Sequence, residues 1–142
     1  MKISARNVFE GTITALVDGK VNAEVEVTTA GGDRIVAIVT EGSVAALGLA
    51  VGKPALAYVK APWVMVLAGD GGVRFSARNQ LAGLVDSVQK GAVNSDVAIR
   101  LAGGTLVHAV ITNEAVLELG LKPGAPASAL IKASHVVLGV PA

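Results

Sequence analysis

The chain has 142 residues, with 12 Lys and Arg against 11 Asp and Glu and a net charge of +1. Only 16% of the residues are charged and 52% are apolar, which excludes bulk disorder, and the near-neutral balance argues against bulk attraction to nucleic acid or an anionic membrane. There is no Cys, so disulfides, a thiolate nucleophile and a Cys-ligated metal are excluded.

The start, MKISARNVFEG, has no apolar core and no cleavage site, and no apolar run approaches the roughly 18 residues that span a bilayer. A soluble cytoplasmic protein without a membrane partner is expected. Residues 8–17 are rich in alternating apolar positions and read as a strand, closed by Asp18-Gly19 as a hairpin turn. Residues 21–28 alternate Val with polar residues, Ala30-Gly31-Gly32 is a second turn, and residues 34–39 form a third strand. The period then changes. Thr40 is placed to N-cap a short helix over residues 41–47, with Gly48 as its stop. Residues 54–60 and 63–67 read as two more strands.

The same plan then recurs. SARN stands at Ser4–Asn7 and again at Ser76–Asn79, an offset of 72. With that shift the two halves align without a gap, and about 25 of 64 positions are identical, among them Gly11/Gly83, Val21-Asn22/Val93-Asn94, Thr40/Thr112 and Lys60-Ala61/Lys132-Ala133. The chain is a tandem duplication. Five strands with a helix between the third and fourth is the order of an OB-like barrel. The expected fold is therefore mainly β: two tandem OB-like five-stranded barrels, each with one short helix, over residues 1–66 and 75–142, joined by a linker at 67–74. Units this small have little core of their own, so burial between repeats and between chains is expected.

Chemistry is sparse. His108 aligns with Val36 and His135 with Trp63, so neither recurs, and both read as structural or surface residues. No HExxH, GxSxG or P-loop is present, and no general acid–base pair is seen. The one conservative acidic pair, Glu24/Asp96, is expected on a solvated strand face. An enzyme is not expected, and no residue is assigned a catalytic or direct metal-ligating role. Among 12 cationic residues, only Arg6/Arg78 and Lys60/Lys132 recur as identical pairs. With Ser4/Ser76 and the backbone N–H groups of Ala61 and Ala133, they supply a planar fork, a point charge, a hydroxyl and amide donors. That set suits a small tetrahedral oxyanion held by charge-assisted hydrogen bonds. The residue types also permit plainer roles: Arg6 and Lys60 paired with carboxylates at the repeat interface, Ser4 and Asn7 as turn formers, Thr40 and Thr112 as helix caps.

SARNQLAG at residues 76–83, Val93-Asn94 and ALIKASHVVL at residues 129–138 resemble the Mop-type molybdate-binding domain of the molbindin family. The resemblance covers nearly the whole chain, as two copies. It implies molybdate or tungstate bound at interfaces between domains, with no organic cofactor. The ligands it implies are Ser4, Arg6 and Lys60 in one repeat and Ser76, Arg78 and Lys132 in the other, with backbone donors at Ala61 and Ala133 and a Thr, Thr40 or Thr112, from a neighbouring domain. A second kind of site, on a threefold axis, is placed near Val21, Asn22, Val93 and Asn94. Six such domains make a ring, so two per chain imply a homotrimer. The helix-turn-helix and ATPase modules that other members carry have no counterpart in the two repeats, which points to storage, buffering or delivery of the oxyanion. One departure stands out: Lys132-Ala133-Ser134 faces Lys60-Ala61-Pro62, so the two sites differ if that Ser hydroxyl is a ligand. The rival reading is a non-catalytic OB-type interaction module that binds another anion or nucleic acid. A nucleic-acid groove calls for stacking aromatics, and none of the four here aligns with another.

Overall fold

The structure is a computed structural model that describes residues 2–69 and 71–142; Asp70, within the expected linker, and Met1 lie outside the described residues. The first repeat forms β1 (Asn7–Asp18), β2 (Asn22–Thr29), β3 (Arg34–Thr40), α1 (Glu41–Leu47), β4 (Pro54–Val59) and β5 (Met65–Leu67). The second forms β6 (Asn79–Lys90), β7 (Asn94–Leu101), β8 (Leu106–Thr112), α2 (Asn113–Glu118), β9 (Pro126–Ile131) and β10 (Val137–Gly139). A single 3₁₀ turn, Ala61–Trp63 or Ala133–His135, precedes each last strand.

The helices begin and end where the capping residues place them. Thr40 Oγ1 accepts from Ser43 N at 3.0 Å, and Thr112 Oγ1 accepts from Ala115 N at 3.1 Å. Gly48 and Gly120, both at φ 63°, supply the left-handed residue after each helix.

The strands make two curled, fully antiparallel half-barrels, in the orders β10-β4-β1-β2-β3 and β5-β9-β6-β7-β8. Each has the five strands expected, but the last strand is exchanged. β10 of the second repeat pairs with β4, Val137 opposite Tyr58, while β5 of the first repeat pairs with β9, Met65 opposite Leu130. Neither repeat completes its own sheet.

The exchange is reinforced at the opposite sheet edges. Asn7 and Asn79, the last residues of the SARN segments, are 1% and 2% exposed. Asn79 Oδ1 accepts from Val36 N at 2.7 Å, and its Nδ2 donates to Val36 O at 2.8 Å. Asn7 treats His108 in the same way, at 2.7 and 2.8 Å. Val36 lies on β3 and His108 on β8, the edge strands, so each carboxamide acts as a one-residue strand that satisfies an open edge. Asn7 and Asn79 are thus not turn formers; they join the repeats.

The turns before β3 and β8 also touch. Asp33 Oδ1 accepts from Gly103 N at 3.0 Å, and a Cβ on Gly31 would fall on the Gly103 carbonyl oxygen, so glycine is required there. One continuous apolar core, including Phe9, Ile13 and Val25 with Val97, Ile99 and Ile131, runs through both halves.

Asn79→Ala leaves the N–H and C=O of Val36 without their partners in a partly buried setting. It is expected to lower the unfolding free energy by about 2–4 kcal/mol, read by urea denaturation. A loss below about 0.5 kcal/mol, typical of neutral surface changes, would show that the amide does not hold the repeats together.

Candidate functional site

Register explains how the recurring polar residues meet. β1 pairs with β4 with Asn7 opposite Val59, and β6 pairs with β9 with Asn79 opposite Ile131. The residues just beyond each ladder, Arg6 with Lys60 and Arg78 with Lys132, therefore sit at neighbouring strand ends. The 3₁₀ turn after each Lys carries the chain over into the other sheet. In both turns the third residue's N–H closes onto the Lys carbonyl: Trp63 N to Lys60 O at 3.0 Å, and His135 N to Lys132 O at 2.9 Å. Ala61 and Ala133, at the start of these turns, are buried.

Two cavities lie at these crossovers. Ser4 and Lys60 line one of about 180 Å³, with Tyr58, Trp63 and Val137. Ser76 and Lys132 line the other, of about 400 Å³, with Phe75, Trp63, Met65 and His135. Ser and Lys are the polar lining shared by the two, and among the described residues no carboxylate lines either. Lys60 Nζ lies 5.5 Å from the Trp63 ring centroid, a cation–π contact. Among the described residues neither Lys60 nor Lys132 forms a salt bridge.

The two Arg residues point elsewhere. Arg6 Nη2 lies 2.9 Å from Asp96 Oδ2, and Arg78 Nη1 donates to Glu24 Oε2 at 2.6 Å. Each pair crosses between repeats, so Glu24 and Asp96 are not simply a solvated strand face: they neutralise the SARN arginines. The two contacts differ in quality. The oxygen that Arg6 meets, Oδ2, has no directed hydrogen bond among the described residues, while Asp96 Oδ1 lies 3.0 Å from His108 Nδ1. Both arginine side chains remain about half exposed, at 56% and 52%. Five N–H donors per guanidinium leave several for a further acceptor.

Thr40 lies on a third cavity of about 340 Å³, together with Asn22, Ser43 and Ser134. Its neighbour there is thus the Lys-Ala-Ser turn of the second repeat. Within one chain the structure joins Ser4 with Lys60, Ser76 with Lys132, and Thr40 with Ser134; it does not gather the whole Ser–Arg–Lys–Thr set into one cavity. Thr112 lines none of these three. Val21 and Val93 stand at hairpin tips, 73% and 70% exposed, and their carbonyls accept from the first N–H of α1 and α2, both at 2.9 Å. Asn22 and Asn94 open the next strands, β2 and β7, and are exposed. His135, set aside in the sequence because it does not recur, stacks on its own counterpart Trp63, with ring centroids 4.9 Å apart. Among the described residues no cluster of three or more His, Asp or Glu is placed to hold a metal ion, and no helix is long and apolar enough to cross a membrane.

The TOBE domain model matches the chain twice, over residues 3–66 and 76–138, and the chain belongs to this family. It is similar along its whole length to the cytoplasmic molybdate-binding protein ModG, in a crystal structure with molybdate bound: 57% identity, 99% of this chain and 100% of that one, TM-score 0.95. It is also similar to the molybdenum-pterin-binding protein MopA of Rhodobacter capsulatus, 43% identical over 141 residues, 99% of this chain and 53% of MopA. The DNA-binding transcriptional dual regulator ModE of Escherichia coli K12 is 37% identical over 140 residues, 97% of this chain and 52% of ModE. The chain spans about half the length of these curated relatives.

Glu24→Gln removes the negative charge beside Arg78. It is expected to tighten molybdate binding roughly threefold to tenfold by titration at low salt, and to change stability by less than about 1 kcal/mol, as for a surface pair. Weaker binding would mean that Glu24 orients Arg78 rather than competing for it.

Proposed function

We propose that this protein binds molybdate, and tungstate of closely similar size and charge, as a non-enzymatic cytoplasmic store that serves molybdenum homeostasis. The observation that carries this reading is the recurrence of a Ser- and Lys-lined cavity at both crossovers, in a chain that matches molybdate-bound ModG from end to end. The donors suit the ligand. A tetrahedral oxyanion offers acceptors in every direction and has no proton to give at neutral pH. A Lys ammonium, a Ser hydroxyl and a buried-turn amide bind it without any change in their own protonation.

In this reading Ser4, Lys60 and the amide of Ala61 hold one anion, and Ser76, Lys132 and the amide of Ala133 hold another. Arg6 and Arg78 turn their spare N–H groups toward the bound charge. Thr40 and Thr112 reach the sites of neighbouring domains through the same hydroxyls whose oxygens cap a helix. The assembly is a homotrimer. Exposed apolar residues that recur in both repeats support self-association: Val21 with Val93, Ile3 with Phe75, and Met65 with Val137. A further set of anion sites lies where Val21, Asn22, Val93 and Asn94 of the three chains converge. The ModE relatives favour a second reading, in which the same fold senses the oxyanion for a regulator. Retardation of duplex DNA by this protein in a mobility-shift assay would support it.

The test is molybdenum per chain after incubation with molybdate and desalting, with native mass measured on the same sample. Two or more molybdates per chain, in a trimer, are expected; a chain that retains none would refute the reading. Lys132→Ala is expected to weaken binding at its site about tenfold or more, the loss of one charge-assisted contact, with no change in native mass.

A further inference from the structure

The two crossover cavities share a plan but not a chemistry. Under the 72-residue shift, Ser4 matches Ser76, Lys60 matches Lys132, and Val137 on the exchanged strand matches Met65. Two walls differ in kind: the position of Trp63 in the first repeat is held by His135 in the second, and that of Tyr58 by Leu130. In the first cavity the Trp63 ring lies against Lys60 and engages its ammonium. In the second, an imidazole lines the cavity beside Lys132, its ring tilted 36° against Trp63.

The polar atoms of that imidazole are unequal. Nδ1 is buried and has no hydrogen-bond partner among the described residues. A buried N–H with no acceptor is among the rarest arrangements in folded proteins, so the ring proton belongs on Nε2. That leaves Nε2–H as the donor able to meet an occupant of the cavity. Among the described residues no carboxylate lines the cavity to compete for it.

We propose that His135 Nε2 donates a hydrogen bond to the oxyanion held by Ser76 and Lys132, an imidazole donor with no imidazole counterpart in the first cavity. The two sites of one chain therefore hold the anion differently, and only the second depends on position 135. This rests on the reading of both cavities as oxyanion sites.

Two variants separate donation from packing. His135→Phe keeps a flat ring against Trp63 and has no donor; His135→Gln gives up the ring and keeps an N–H. Each full-length protein is titrated calorimetrically with molybdate, with emission of Trp63, the one tryptophan, as the check that the shared wall is folded. In His135→Phe one class of site is expected to weaken about tenfold while the other keeps its affinity. In His135→Gln both classes are expected to stay within about threefold of the parent. Unchanged affinities in His135→Phe overturn the inference. So does the reverse pattern, with Phe tolerated and Gln not, which would assign His135 to packing. A parent protein that takes up no molybdate fails the underlying reading and the inference with it. A parent that binds, beside an indifferent Phe variant, fails the inference alone.

Discussion

The carboxamides of Asn7 and Asn79 are buried at the points where each half of the chain would otherwise present an open strand edge. Each gives one acceptor and one donor to a single residue of the other repeat, His108 or Val36. A sheet edge in a protein of this composition is a hazard, because its neighbours are small, apolar and uncharged. Sealing the edge with a side chain from the partner repeat makes the two sheets mutually dependent. The exchanged strands β5 and β10 extend that dependence to the opposite edges. Duplication here has not produced two beads on a string, but two half-barrels that share a core and complete one another.

The same interlocking builds the candidate site. The SARN segment that ends in the edge-sealing Asn also carries the Ser and Arg, and the strand register sets that segment beside Lys60 or Lys132. The turn after each Lys is where the chain crosses between sheets, so the cavities sit at the crossover, and each draws residues from both repeats. The arginines are neutralised from across the interface by Asp96 and Glu24. Two adjacent cations would repel one another without an anion present. A carboxylate from the other repeat relieves that repulsion while leaving about half of each arginine side chain exposed.

Much of this was legible in the residues, and the limits have physical causes. The repeat, the strands and the two helices follow from short-range signals: alternation, Gly-rich turns, and Thr40 and Gly48 bracketing seven residues. The strand exchange was not legible. Met65-Val66-Leu67 and Val137-Leu138-Gly139 are alike enough to pair with either β4 or β9, so local pattern cannot choose between a repeat's own sheet and the other. Asn7 and Asn79 appeared as repeated polar residues, and periodicity does not distinguish a buried amide from a turn former. Glu24 and Asp96 carried the missed signal: an acid kept in both repeats alongside an Arg kept in both. His135 reads as merely structural because it does not recur. It lies where the repeats face each other and meets its own counterpart Trp63, so there a difference between copies is itself part of the site.

Whether the duplicated crossover cavities hold the oxyanion is decided by anomalous diffraction at the molybdenum edge, from crystals of this protein grown with molybdate. One molybdenum peak beside Lys60 and Ser4 and another beside Lys132 and Ser76 are expected in every chain. Molybdenum bound only elsewhere on the molecule, with both lysines unliganded, would refute oxyanion binding at the crossovers.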